Sequence, residues 1–339
     1  MSGTALEQHK VTSAGVPGDD ASMDGVHVDV QRLRDAVATQ IYGKDVPILR
    51  VIATLIGEGH LLIEDVPGVG KTSMAVAVAG AIGGSFHRIQ FTSDLLPSDV
   101  IGVPIYLQSE DRFQFKRGPV FANVVLADEI NRTTPKTQSA MLEAMQDARV
   151  SIDGEVHDLP APFMVIATQN PIEHHGTYAL PESQLDRFMM RIRIGYPAPE
   201  FEGDILRAQD ELRYGAGPEL AVSLERLIEI QRCVPAVRVD DDLVRYILSI
   251  AQATRSHDEI ELGVSTRGAQ MMYRALQAWA LCNGRTYVVP DDVKDLIHPV
   301  FDHRLILRSS YHSTLTHSDA EDAASVLLDR ITEEIEVPS

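Results

Sequence analysis

The stretch His60–Thr72, HLLIEDVPGVGKT, constrains the chain more than any other. Leu61, Leu62 and Ile63 form an apolar run without polar alternation, which suits a strand buried on both faces. A loop with Pro67, Gly68 and Gly70 follows at once, then Lys71 and Thr72. In a phosphate-binding loop, glycines let backbone N–H groups turn around phosphate oxygens, at the positive N-terminal end of the next helix. The lysine reaches the β- and γ-phosphates and the hydroxyl holds Mg²⁺. Val66, Pro67, Gly68, Val69, Gly70, Lys71, Thr72 and Ser73 are therefore the candidate ATP contacts, although the pattern's first glycine is replaced by Asp65, a residue that also tolerates turns.

A second apolar run, Val124–Ala127, ends in Asp128-Glu129. The first carboxylate at such a tip can share the Mg²⁺ with Thr72, and the second can orient or deprotonate the attacking water. A third run, Phe163–Thr168, ends in Gln169-Asn170, whose amide is a candidate for positioning that water. With Phe86–Phe91 and Met189–Ile194, five strands alternate with helical segments. They predict an open parallel sheet covered on both faces, with its ligand at the carboxyl ends of the strands.

The remaining segments fit around this frame. Residues 1–27 are small and polar and read as a disordered tail. Helical spacing runs from Val28 through Ile41 to an end near Gly43, and a second helix is expected over Val46–Ile56. Between them, Tyr42 and Gly43 are candidate adenine contacts, or equally a plain helix C-cap. Gly102–Gly118 and Val150–Leu159 read as β-hairpins, the second around Asp153-Gly154. Further helices are expected over Met74–Ile82, Pro135–Asp147 and Leu180–Phe188, with Met141, Leu142 and Met145 in the core. After Tyr196-Pro-Ala-Pro199 strand signals stop, so residues 28–197 read as an α/β nucleotide-binding domain. Residues 198–339 read as an α-helical lid ending in an acidic helix.

The formal net charge of −19 opposes a phosphate backbone, so nucleic acid is a disfavoured partner. Cys233 and Cys282 lack metal-ligand spacing and read as buried thiols, and the pair His174-His175 reads as an exposed loop. No apolar run is long enough for a membrane span and no basic-then-apolar leader is present, so a cytoplasmic location is expected.

Taken together, EDVPGVGKT, QFTSDLLPSDVIG, LADEINR, ATQNPIE, GTYALPESQLDRFMMRI and STRG resemble, in order, the MoxR family of AAA+ ATPases over roughly Val30–Arg308. The resemblance implies a P-loop α/β domain with two inserted hairpins, a helical lid and a ring homo-oligomer, commonly a hexamer, with ATP between subunits. It assigns Lys71 and Thr72 to Walker A, Asp128 and Glu129 to Walker B, and Asn170 to sensor 1. Arg187 becomes the arginine finger and Arg267 sensor 2. It further implies chaperone-like remodelling of a protein client, such as a von Willebrand factor A-domain protein. The alternatives are a nucleotide-gated binding module and a DNA-handling motor. Thr266 and Gly268 depart from the Pro and Ala often found beside the sensor-2 arginine.

Overall fold

The computed structural model describes residues 20–170, 177–207, 218–308 and 317–338. His174-His175 and most of the expected tail lie outside them. Helix α1 (Asp20–Ala38) starts well before the expected Val28 and ends before Ile41. Met23 and Val26 are buried and extend the stripe of Val30, Leu33 and Val37 by about two turns, so the tail expected through residue 27 is shorter. Helix α2 (Asp45–Ile56) leads into strand β1 (Leu61–Glu64).

The central sheet contains β1, β2 (Phe86–Gln90), β5 (Val124–Asp128), β8 (Met164–Gln169) and β9 (Met190–Ile192), all parallel, in the order β2-β5-β8-β1-β9. Side chains alternate between its faces. Leu61, Ile63, Leu126 and Ile166 pack with α1, α2, helix α3 (Lys71–Ala81) and the lid. Leu62, Val125, Ala127 and Val165 pack with Met141, Leu142 and Met145 of α5 (Pro135–Asp147). Burial on both faces explains why these strands carry uninterrupted apolar runs.

Two hairpins interrupt this scheme. The short helix α4 (Pro97–Ile101) delivers β3 (Gly102–Leu107) and β4 (Arg112–Arg117), and β6 (Arg149–Ile152) with β7 (Glu155–Asp158) follows α5. They touch where Phe115 stacks on His157, with ring centroids 4.3 Å apart. The expected helix over Leu180–Phe188 shrinks to α6 (Glu182–Leu185), because Phe188 and Met189 already belong to the approach to β9.

After α7 (Pro199–Arg207), the lid comprises α8 (Leu224–Cys233), α9 (Asp241–Ser256), α10 (Thr266–Cys282), α11 (Pro290–Phe301) and α12 (His317–Glu333). It is not wholly helical. Ile260–Leu262 (β10) pairs antiparallel with Ile306–Leu307 (β11), strands too short to register as periodicity. Cys233 and Cys282 are both buried free thiols. Among the described residues, no helix is long and apolar enough to cross a membrane.

Candidate functional site

The loop after β1 closes because Gly68 and Gly70 take left-handed backbone conformations, at φ of 86° and 92°. A Cβ at either would meet no atom within 4 Å, so conformation rather than space demands glycine there. Asp65 stands at the first position for a different reason. Its Oδ1 accepts from the Val66 N–H at 2.9 Å, and its Oδ2 accepts from the N–H groups of Ile194 and Gly195 at 2.8 and 2.7 Å. The carboxylate thus fastens the base of the loop to the end of β9, at a backbone angle that needs no glycine. Lys71 donates from Nζ to the Asp65 carbonyl at 2.6 Å.

Pro67, Gly68, Gly70, Lys71, Thr72 and Ser73 line a cavity of about 390 Å³, closed on the other side by Arg88, Asp128, Glu129 and Asn170. It lies at the carboxyl ends of β1, β2, β5 and β8, where an open parallel sheet presents its crevice. The sequence therefore brings its three strand-tip signals to one place.

Both acids there are held. Asp128 Oδ1 accepts from Thr168 Oγ1 at 2.6 Å, and its Oδ2 accepts from Arg88 Nε at 3.0 Å and Nη2 at 2.5 Å. Glu129 sits in the left-handed region at φ 57°, and its N–H donates to the same Thr168 hydroxyl at 2.9 Å. Its Oε2 accepts from Gln90 Nε2 at 2.8 Å and Arg132 Nη1 at 2.9 Å. One hydroxyl on β8 thereby ties the Asp128 carboxylate to the Glu129 backbone. For the implied Mg²⁺, Thr72 and Asp128, both lining the cavity, would supply hard oxygen ligands, a donor set that suits this ion.

Arg88, Gln90, Arg132 and Thr168 are not among the site residues expected from the sequence. A signal for the first two existed, since Arg88 and Gln90 alternate about buried Ile89 near the tip of β2 and so share a face. Thr168 carried none beyond its place before Asn170.

The remaining candidates lie elsewhere. Arg187 does not line the cavity; its Nη1 donates to the Leu142 carbonyl, and its Nε is buried without a hydrogen-bond partner. Arg267, half-buried at the start of α10, also lies outside the lining. Tyr42 and Gly43 sit outside it as well. Gly43, at φ 65°, lies against Phe201, whose ring a Cβ would approach to 2.3 Å, and α1 ends too early for Gly43 to be its C-cap.

Beside Arg187 lies a junction between the two domains. Asp186 accepts from Ser265 Oγ at 2.8 Å and from Arg304 Nε at 2.9 Å. Arg304 is almost fully buried and also donates to the carbonyls of Phe188 and Val300. Burial lowers its guanidinium to about 10, against the opposing pull of Asp186, so it stays ionised at neutral pH. The departure at Gly268 has its cause here: a Cβ would lie 2.8 Å from Arg304 Cδ and 2.9 Å from Val264 Cγ1.

A parallel sheet with a glycine-turned phosphate loop, two strand-tip acids and a helical lid defines a P-loop ATPase of the AAA+ class. Residues 60–190 match the family "ATPase family associated with various cellular activities (AAA)" and residues 252–332 match the AAA lid domain. The chain is 39% identical to Chaperone MoxR1 of Mycobacterium tuberculosis over 93% of its own length and 85% of that protein. It is 50% identical to the uncharacterised protein YeaC of Bacillus subtilis, over 78% of this chain and 82% of that one. A crystal structure from Cytophaga hutchinsonii, of a protein assigned as an ATPase, superposes with a TM-score of 0.83 at 35% identity, covering 94% of this chain and 98% of that one. The chain belongs to the MoxR family of AAA+ ATPases.

Proposed function

We propose that the protein hydrolyses Mg²⁺-ATP at sites shared between subunits of a ring and uses the cycle to remodel a protein client. Lys71 and the loop N–H groups bind the β- and γ-phosphates, and Thr72 and Asp128 take the Mg²⁺. Glu129, aligned with Asn170, activates the attacking water as general base. The observation that carries the shared-site reading is the place of Arg187, the motif-matched arginine finger, which lies outside the cavity that holds the other motifs. A cation supplied by the next subunit would complete the charge stabilisation and make turnover depend on assembly. Arg267 acts as sensor 2 from the lid, and Tyr42 and Gly43 would contact the adenine.

The protein client is inferred from the name of the M. tuberculosis relative and from the hairpins, where Tyr106, Phe113 and Val156 are exposed. A von Willebrand factor A-domain partner rests on family resemblance alone. A DNA-handling role fits less well, since Lys116 and Arg117 on the first hairpin are offset by Glu110 and Asp111.

The test is hydrolysis measured against protein concentration, with mass determined with and without nucleotide. Specific activity should rise with concentration and fall about 10³-fold in Arg187→Ala. It should vanish in Lys71→Ala, whereas Glu129→Gln should retain ATP binding. Concentration-independent turnover indifferent to Arg187 would replace the shared site by one completed within a single subunit.

A further inference from the structure

Resting on the Mg²⁺-ATP reading of the cavity, we propose that Arg88 is an internal counter-cation: it holds Asp128 until a divalent metal takes that carboxylate, then turns to the nucleotide's phosphate oxygens. Metal loading is then a cation exchange rather than a simple addition.

Three observations lead there. Arg88 and Lys71 are the cations among the cavity-lining residues, so the guanidinium already lies in the space a triphosphate would fill. Its Nε and Nη2 both point at Asp128 Oδ2, while Thr168 donates to Oδ1, so both carboxylate oxygens are already held and a metal taking this carboxylate must share it with Arg88 or displace it. A divalent ion on Oδ2 would sit against the guanidinium, and like charges a few ångströms apart in a partly buried crevice exclude each other.

The direction of the exchange follows from the backbone. β2 is an edge strand whose position is set by its ladder with β5, in which Arg88 stands opposite Leu126. The main chain is therefore fixed and only the side chain can move. Its side chain is 49% exposed, which leaves room to turn. Its Nη2 also donates to Gln90 Oε1 at 2.9 Å, a tether that keeps it at the cavity mouth. A planar guanidinium with five donors matches phosphate oxygens as well as a carboxylate. The γ-phosphate adds the oxygens that would receive it, so ATP gains from the exchange and ADP gains less.

The experiment uses the full chain, a fluorescent ADP, the non-hydrolysable analogue AMP-PNP and Mn²⁺ as the metal, with binding as the readout. In Arg88→Ala, removing the competitor should lower the Mn²⁺ concentration for half-saturation of the ADP complex by about three- to tenfold, the worth of a partly exposed charged hydrogen bond. At saturating metal, the preference for AMP-PNP over ADP should fall by a similar factor. Arg88→Lys should lie between, because it keeps the charge and loses the fork. Unchanged or weaker metal binding in Arg88→Ala would overturn the proposal, and so would an unchanged AMP-PNP preference. If the wild-type chain shows no metal-dependent nucleotide binding, the reading of the cavity fails instead. Circular dichroism and melting of each variant separate these effects from misfolding.

Discussion

The phosphate cavity and the Asp186–Arg304 junction both rest on an arginine–aspartate pair, and they use it in opposite ways. In the cavity, the Arg88 side chain is half exposed against Asp128, and Glu129 is shared by Gln90 and Arg132. At the junction, the Arg304 side chain is only 2% exposed, and the same guanidinium also serves the carbonyls of Phe188 and Val300. A charge in water can change partners at little cost, whereas a desolvated one cannot be released without leaving an unpaired ion in the interior. The first pair is built for exchange. The second bolts the segment that carries Asp186 and Arg187 to the lid.

Breaking the junction should therefore give the largest effect. Arg304→Met leaves the Asp186 carboxylate with Ser265 alone and the Phe188 carbonyl with His303 alone, and should cost about 3–5 kcal/mol in denaturant unfolding. A loss below 1 kcal/mol would erase the distinction between the two pairs.

Acid should come next. Burial pushes the His60 imidazole down to about 4, its Nδ1 accepting from the Val165 N–H and its Nε2 donating to the Met145 carbonyl. At the junction, burial and then the neighbouring Arg304 charge hold His303 well below its ordinary range. Both stay neutral in the fold while the unfolded chain gains protons below about pH 6.5. Stability is thus unaffected by these groups above that pH and falls as pH drops from there toward 4, by on the order of 3 kcal/mol for His60 alone. Melting followed across this window should show the decline, and His60→Phe should make it shallower, leaving the His303 share; a flat wild-type profile would contradict the buried neutral state.

A subtler probe is Gly268→Ala, which places a methyl against Arg304 Cδ and Val264 and should cost about 1–3 kcal/mol by overpacking. Its melting temperature should drop while nucleotide affinity holds. Smallest of all should be Arg88→Ala in the absence of metal and nucleotide. Losing a half-exposed pair should move unfolding by less than about 1 kcal/mol, so a larger loss would place Arg88 among the structural ions rather than the exchangeable ones.

Much of this was legible locally. The strands at Leu61, Val124 and Phe163 announced themselves as apolar runs, and Pro135–Asp147 matches the observed helix residue for residue, because proline at the start and apolar spacing mark it. Local signals also misled where their evidence was thin. The start of α1 was missed because Met23 and Val26 are isolated apolar residues in a polar stretch, and only packing against the core makes them helical.

By itself, then, the sequence determined the parallel sheet, the glycine-turned loop and the strand-tip residues Asp128, Glu129 and Asn170, since each depends on neighbours a few residues away. Tertiary structure alone decided what those residues touch. Arg88 reaches Asp128 across 40 positions, Thr168 reaches Asp128 across 40, and Arg304 reaches Asp186 across 118. No periodicity or spacing encodes such pairs, because the strand order β2-β5-β8-β1-β9 and the docking of the lid, not the chain's own succession, set which charges meet.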